Sequence, residues 1–271
     1  MKSTFSVLKY RSLARAGIMK TLHFRMSYIV TIISNLAYLM VIYYLWKAIY
    51  ASSATESVNG MTFKDTFIYL VLATAIFNVY EVAMIWWTGD DIRNGKIVLD
   101  LIKPMIYQVY TFFNYSGNYI IMFFFTFAPT FLLVYFLSGG AIVVGINLIL
   151  FLISLMLGLI INFCVDFFVT TICLYTQSTW GVSVMKEVIV LFVSGATVPL
   201  AFFPGGLKTF VEYLPFKSIY NTPLMFLVNE SLNLKDYFEL LLEQAFWVFV
   251  LILISNAFWK CSIRKITVNG G

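Results

Sequence analysis

The chain has 271 residues, of which 61% are hydrophobic and only 11% are charged. Soluble domains carry about 45–50% apolar and about 25% charged residues, so this composition excludes a soluble globular protein and indicates an integral membrane protein. The net charge of +5 comes from cations at the ends of apolar segments, with no nucleic-acid-binding motif beside them, so no nucleic-acid partner is expected.

The chain begins with a basic segment. Six cations and no acid precede the first long apolar run: Lys2, Lys9, Arg11, Arg15, Lys20 and Arg25. Because apolar residues are mixed with them, residues 1–26 are predicted to form a helix on the inner membrane surface, in contact with anionic lipid. The alternative is a basic topology signal with partial helicity, since three of the lysines fall on the apolar side of a helical wheel.

Apolar runs of about 20 residues, enough to cross about 30 Å of hydrocarbon, predict six membrane spans. They cover residues 28–49, 66–87, 112–137, 142–175, 180–203 and 238–259. The turn between the fourth and fifth spans is placed near Thr176 to Thr179, where Gln177 and Ser178 interrupt the apolar run. The predicted fold is an all-α integral membrane protein with a single transmembrane domain over residues 1–271.

Cations at both ends of the chain predict its orientation. Lys260, Arg264 and Lys265 follow the last span, just as six cations precede the first. By the positive-inside rule both termini are expected to be cytoplasmic, which places residues 89–104 inside.

The inner loop after the second span, residues 88–105, contains its own helix signals. Asp90 and Asp91 favour the start of a helical turn, Gly95 ends it, and a short helix from Lys96 to Lys103 stops at Pro104. Such a loop is a good mechanical contact on the cytoplasmic face. The alternative is an ordinary hydrophilic turn, charged because it is wet.

Residues 195–223 hold four of the six prolines: Pro199, Pro204, Pro215 and Pro223. Proline blocks a continuing helix, so one straight span is excluded here. Irregular backbone at membrane depth needs shielding from lipid by protein or a water-filled cavity. Residues 204–236 are therefore predicted to form a re-entrant helical hairpin on the outer face, between spans five and six, and such an element suits a gate.

These two segments resemble ABC-2 type transporter permeases. SGATVPLAFFP, followed by LPF and TP, resembles the end of the fifth span and the re-entrant external hairpin of that family. DIRNG with the later LIKP resembles its acidic-Ile-Arg-x-Gly and Leu-x-x-Pro coupling loop, which docks on the ATPase. The resemblance implies coupling residues Asp90, Asp91, Arg93, Gly95, Lys96, Leu101 and Pro104, and gate residues Pro199, Leu200, Phe203, Pro204, Pro215 and Phe216.

The resemblance also implies a function: the permease subunit of an ATP-binding cassette exporter in a bacterial plasma membrane. Its partners would be membrane lipid, ABC ATPase subunits and a second permease, identical or homologous. This chain would bind no cofactor, with ATP and Mg held by the partner ATPase. An amphiphilic cargo such as a drug, an antimicrobial peptide or a lipid would move outward. The alternative is a secondary active transporter of a small solute, although no internal repeat supports it.

Catalytic residues are scarce. His23 is the only histidine, so a histidine triad or a multi-histidine metal site cannot be built within the chain, and no HExxH or CxxC spacing occurs. No phosphate-binding GxxxxGK[ST] loop is present. The chain is therefore expected to be neither an enzyme nor a metal or ATP binder, and its three cysteines imply no disulfide framework.

Four ionisable residues within the predicted spans stand out, because a charge at the bilayer centre costs at least about 2.5 kcal/mol. Glu81, Lys186 and Glu187 are near span ends, which favours an interfacial or a paired structural role. Asp166 forms a polar stripe with Asn162 and Thr170 at helical spacing. This stripe could line a conduit, provide a proton site or bond to a neighbouring helix.

Overall fold

The computed structural model describes residues 7–23, 25–53, 55, 57–81, 83–139, 145–176, 178–229 and 232–265. These residues form an all-α protein, as predicted, together with one two-stranded β-hairpin that was not predicted. The helices are α1 Val7–His23, α2 Arg25–Ala51, α3 Phe63–Tyr80, α4 Met84–Arg93, α5 Ile97–Leu101, α6 Tyr107–Met122, α7 Ala128–Ser138, α8 Ile146–Thr176, α9 Thr179–Val193, α10 Gly205–Glu212, α11 Asn221–Val228 and α12 Leu234–Ser262. The predicted positions Lys2, Gln177 and 142–144 lie outside the described residues.

Five helical segments of the described chain are long and apolar enough to cross a membrane. They are Val30–Ala51, Phe63–Arg93, Tyr107–Ser138, Ile146–Thr176 and Leu234–Ser262. The fifth predicted span corresponds to α9, which has 15 residues. At 1.5 Å per residue α9 is about 22 Å long, less than the hydrocarbon thickness.

The predicted fifth span, 180–203, is not one helix, because α9 stops ten residues before its C-terminal end, at Val193. Gly195 has φ +81°, a conformation that glycine adopts without the usual steric penalty. The Gly195 amide donates to Phe192 O at 3.2 Å, and the Ala196 amide donates to Leu191 O at 3.2 Å. This pattern is a Schellman motif, which satisfies the last helical carbonyls and turns the chain.

The predicted second span, 66–87, is also not one helix. Segment α3 ends at Tyr80 and α4 begins at Met84. Glu81 caps α3 with a non-helical ψ of 84°, while its amide still donates to Phe77 O at 2.8 Å. No proline or glycine marks this break. Because α4 runs from Met84 to Arg93, Asp90 and Asp91 lie in its last turn. The prediction that they begin a helical turn is therefore wrong.

The predicted third span is continuous but irregular. A π-helical turn, Phe123–Phe127, joins α6 to α7, and Pro129 follows it at the start of α7. Proline cannot donate to the preceding turn, so a widened turn just before it lets the helix continue without a clash. The segment as a whole runs from Tyr107 to Ser138, longer than the predicted 112–137.

The connection from α2 to α3 is a short β-hairpin. Strand β1, Ser57–Val58, pairs antiparallel with β2, Met61–Thr62. Asn59 and Gly60 both have positive φ, which is the requirement of a two-residue type I′ turn. Thr62 and Asp65 then form a reciprocal capping box that begins α3.

The long helix α8 lies at the centre of the bundle, packed against α12, α4, α11 and α9. Its buried face includes Phe151, Leu155 and Phe167. Helix α2, in contrast, packs mainly on α3 and leaves a long apolar stripe exposed. The interior of the bundle therefore lies around α8, and this is where its polar residues meet.

Helix α1 packs closely on α6 instead of lying apart from the bundle. A Cβ built on Gly117 would clash with Ile18 N and would lie 2.7 Å from Ala14 O. The rings of Tyr10 and Phe113 add a contact at 4.6 Å between centroids. The predicted N-terminal helix thus exists over residues 7–23, and it is fixed to the third long helical segment by backbone contact.

Candidate functional site

The predicted coupling loop forms a compact surface at one end of the bundle. Arg93 pairs with Asp90 at 2.8 Å, and Asn94 Nδ2 donates to the same carboxylate at 2.9 Å, so the last turn of α4 is held together. Gly95 then adopts φ +71° and redirects the chain. Ile97, only 1% exposed, anchors α5 to the bundle.

A second anchor lies at the other end of this loop. The Lys103 ammonium pairs with Asp100 and donates to Tyr110 Oη at 2.7 Å. Burial alone would lower the pKa of Lys103, but these hydrogen bonds and the Asp100 charge raise it above its ordinary value. Lys103 therefore stays cationic and ties α5 to α6.

The side of the loop that faces away from the bundle combines charged residues with exposed apolar surface. Leu99 is 65% exposed and Ile102 is 74% exposed. Of the predicted coupling residues, Arg93, Gly95, Lys96 and Pro104 are exposed, while Asp90, Asp91 and Leu101 are half-buried. Sequence reasoning missed Leu99 and Ile102, because an apolar residue in a five-residue helix gives no periodicity that would separate its exposed face from its buried one.

The N-terminal helix reaches this same surface. The Lys20 ammonium lies 5.4 Å from the centre of the Trp87 ring on α4, within the range of a cation–π contact. Because α1 is also fixed on α6 at Gly117, it is tied to the two segments that flank the loop. Force applied to the loop would reach α1 as well.

The segment predicted as a gate folds into short helical pieces separated by its prolines. A 3₁₀ turn, Leu200–Phe202, follows Pro199, α10 follows Pro204, and a second 3₁₀ turn, Pro215–Ser218, precedes α11. The predicted gate residues Pro199, Leu200, Phe203 and Pro215 are buried, Phe216 is half-buried and Pro204 is exposed. The ring of Phe203 stacks on Phe192 of α9 at 5.3 Å.

The second 3₁₀ turn is seated deep against α8. A Cβ built on Gly158 would lie 3.2 Å from Ser218 O and 3.0 Å from Ile219 O. Gly158 lies twelve residues into α8, about 18 Å from its Ile146 end at 1.5 Å per residue. The turn therefore lies well inside the bundle and not on its rim.

Side chains of α12 hold the same turn. Gln244 Nε2 donates to Ser218 O at 2.8 Å and to Ser154 O of α8 at 3.2 Å. Next to it, Lys217 pairs with Glu243 at 2.9 Å. Gln244 was not predicted as a site residue, since one glutamine in an apolar helix does not reveal its partner.

A cavity of about 660 Å³ lies under the broken segment. Its walls combine apolar and charged side chains and include the predicted gate residues Pro199 and Leu200. The other lining residues that bear on its chemistry are Tyr69, Met225, Leu240, Asp65, Lys208, Glu212, Lys217, Asp236, Glu239 and Glu243. Such a space can take a molecule that is partly apolar and partly charged.

The predicted conduit residues Asn162, Asp166 and Thr170 are not among the lining residues of this cavity. All three are buried in α8, and the Thr170 hydroxyl donates to Asp166 O of its own helix at 2.7 Å. The Asp166 carboxylate instead meets Lys186 of α9 at 2.8 Å. Lys186 also meets Glu81, at the break between α3 and α4, at 3.1 Å.

Comparison with known proteins identifies most of the chain with one family. Residues 23–270 match the family described as ABC-2 family transporter protein. No curated protein matches the chain in sequence.

Proposed function

Because the chain belongs to the ABC-2 family of transporter proteins and is therefore a permease subunit of an ABC transporter, we propose that it exports an amphiphilic cargo. As a member of this family it is a multi-pass membrane protein and a transmembrane component distinct from the ATPase. We place it in a bacterial plasma membrane. ATP and Mg bind to the partner ATPase, and this chain carries no cofactor.

The proposed topology has six spans and two cytoplasmic termini. Helix α9 is added to the five long segments and is the fifth span in chain order. Its short length is extended by the turn at Gly195 and by the 3₁₀ turn Leu200–Phe202. Lys9, Arg11, Arg15 and Lys20 on α1 and Lys260 at the end of α12 support this orientation. An odd number of spans then precedes residue 195, so the hairpin begins on the outer face.

ATP-driven closure of the ATPases acts on the surface formed by residues 89–104. Its exposed apolar residues Leu99 and Ile102 support docking, since burying them in a partner groove is favourable. The ion pair of Asp90 and Arg93 keeps the surface in shape when it is pushed. The coupling residues named from the sequence are Asp90, Asp91, Arg93, Gly95, Lys96, Leu101 and Pro104.

The hairpin acts as the gate at the outer end of the path. The observation that carries this proposal is the seat of Ser218 and Ile219 against Gly158, because it supports a segment that returns into the bundle. The adjoining cavity has both apolar walls and carboxylates, which favours an amphiphilic cargo. Secondary transport by the same chain is disfavoured by the family match.

A second permease, identical or homologous, completes the path in this proposal. Helix α9 leads directly into the hairpin and exposes an apolar stripe, Met185, Val188, Ile189 and Phe192, at helical spacing. A partner that packs on this stripe would line the path opposite the cavity. Exposed apolar residues of α2 and α12 are left to face lipid.

The test is a reconstitution. The chain is expressed with a candidate ABC ATPase encoded close to it and placed in proteoliposomes with a cationic amphiphilic dye. We expect ATP-dependent dye movement toward the side of the hairpin, no hydrolysis by the purified chain alone, and no movement with an ATPase that lacks its phosphate-loop lysine. Movement driven by an ion gradient without ATP would contradict the proposal.

A further inference from the structure

A charged network lies inside the bundle, and none of its residues belongs to the coupling surface or to the gate. Lys186 of α9 is 3% exposed and contacts two carboxylates, Asp166 at 2.8 Å and Glu81 at 3.1 Å. Asn162 Nδ2 donates to Asp166 Oδ2 at 3.1 Å and to Tyr80 O at 3.4 Å. The network thus joins α8, α9 and the break after α3.

The charges of this network do not balance. Two carboxylates and one ammonium leave a net charge of −1 in a space closed to water on the Asp166 side, where that side chain is 1% exposed. An uncompensated buried charge is costly, and the usual remedy is that the group takes up a proton. Two carboxylates that share a site resist ionising together for the same reason.

We propose that Glu81, Asp166 and Lys186 form a proton-binding site, in which the two carboxyl groups share one lysine and one exchangeable proton. The proton passes from a solvent hydronium ion to a carboxylate oxygen: an O–H bond of the hydronium breaks, an O–H bond of the carboxyl forms, and a water molecule is released. It belongs to the pair of carboxyl groups and not to either one alone, as expected for strongly interacting sites. This proposal does not depend on the nature of the cargo.

Two unpaired polar atoms support a proton at this place. A protonated carboxyl is a donor that needs an acceptor. Asn162 Oδ1 is buried and has no hydrogen-bond partner among the described residues, and the same is true of the Tyr119 hydroxyl on α6. The Asn162 amide already bonds Asp166 Oδ2 at 3.1 Å, and the charge of Asp166 acts on the Tyr119 hydroxyl. The network therefore has capacity for an additional hydrogen bond.

Other titratable groups lie near the network, on several of the elements packed around it. They are Tyr80 on α3, Tyr115 and Tyr119 on α6, Cys164 on α8, Glu187 on α9, and Tyr220 before α11. The phenols and the thiol are neutral at ordinary pH. Glu187 is half-buried and adds negative charge at the rim, which increases the tendency of the pair to hold a proton.

The proton has a route of entry and a mechanical consequence. Glu81 is 23% exposed, so water reaches the network on its side. A proton on Glu81 removes one of the two charges that hold Lys186. The link between the α3–α4 break and α9 then weakens. This link matters because the break leads through α4 into the coupling loop and α9 leads into the hairpin. Proton binding is thus placed to adjust how strongly the two ends move together.

The experiment is infrared difference spectroscopy of the complex with its ATPase, titrated from about pH 5 to about pH 9, where ordinary aspartate and glutamate are ionised over most of the range. Wild type is expected to show the carbonyl stretch of a protonated carboxyl that disappears as pH rises. Glu81→Gln and Asp166→Asn should each lose this titrating band, because each leaves one carboxylate matched by one lysine. Glu243→Gln, which removes the carboxylate of the Lys217 pair, should keep it.

A second measurement follows the consequence. Basal ATPase activity of the same complex is recorded against pH, and the pH dependence of wild type should flatten in Glu81→Gln and in Asp166→Asn. It should not flatten in Gly181→Ala, which changes an exposed position on the helix that carries Lys186. The proposal is overturned if wild type shows no titrating carboxyl band, or if that band persists unchanged in both network variants. If one variant fails to fold, the other still decides.

Discussion

Gly17 and Gly117 are in backbone contact where α1 crosses α6, since a Cβ added to Gly117 would lie 2.5 Å from the carbonyl carbon of Gly17. Nearby, Thr21 Oγ1 lies 3.4 Å from Asn118 Oδ1 and donates to it. This crossing fixes the N-terminal helix to the bundle. Motion of α1 and motion of α6 are therefore expected to be one motion.

Gly117→Ala should weaken this crossing. The atoms that the new methyl group meets are backbone atoms of Ala14, Gly17 and Ile18, which cannot rotate away. Overpacking of this kind costs about 1–3 kcal/mol, so the midpoint of thermal unfolding should fall and less ATPase should co-purify. Gly181→Ala is the matched control, because its Cβ would meet only Ser178 Oγ at 3.5 Å. Equal stability of both variants would refute the close crossing.

Leu99→Asp and Ile102→Asp should detach the ATPase without unfolding the permease. Each removes exposed apolar surface from the proposed docking loop, and loss of a hot-spot contact of about 2 kcal/mol weakens binding about 30-fold. The measurement is ATPase affinity of the purified permease. Arg93→Glu should act in the same direction because it breaks the pair with Asp90.

Lys235→Glu is the control for that series. It reverses an exposed charge at the other end of the molecule, where Lys235 lies 3.6 Å from Glu239 on α12. Stability should change little in all four variants, since surface substitutions usually stay within about 0.5 kcal/mol. Normal ATPase affinity in the loop variants would contradict docking and would support the alternative that this loop is an ordinary hydrophilic turn.

Gln244→Leu should release the second 3₁₀ turn of the hairpin. It removes the donor that Ser218 O and Ser154 O share, and an unsatisfied buried polar group costs about 1–3 kcal/mol. A cysteine at Phe216, half-buried in the intact hairpin, should then react faster with a soluble thiol reagent. Gln108→Leu, which removes a comparable buried bond to Ser255, should lower stability and leave that reaction rate unchanged.

Most of the fold features that could be predicted from the sequence were predicted from the apolar composition and the positions of the prolines. Apolar length located the long helical segments, because crossing hydrocarbon imposes a length that any sequence must show. Pro199, Pro204 and Pro215 each precede or begin a short helical piece, because proline acts on its own local backbone. Such signals are readable without knowledge of neighbours.

The break at Glu81 and the charged network could not be read in the same way. Val82 and Ala83 have no backbone property that stops a helix, and the partner of Glu81 lies 105 residues away on α9. The sequence singles out Lys186 and Asp166 separately, because a charge inside the membrane is costly. Their pairing with each other depends on how α8 and α9 pack, which the sequence does not show. The depth of the hairpin likewise depends on Gly158, whose role appears only when Ser218 is placed against it.

The topology and the outward gate are tested most directly by thiol labelling, which shows from which side of the membrane the hairpin is accessible. Single cysteines at Gly206 and Lys208, both exposed on α10, are introduced with Cys164, Cys173 and Cys261 replaced by alanine. In intact cells a membrane-impermeant thiol reagent added outside should label both positions, and the label at Phe216→Cys should be weaker and change with the nucleotide state of the ATPase. Labelling of both α10 positions only from the cytoplasmic side would contradict the topology and the outward gate.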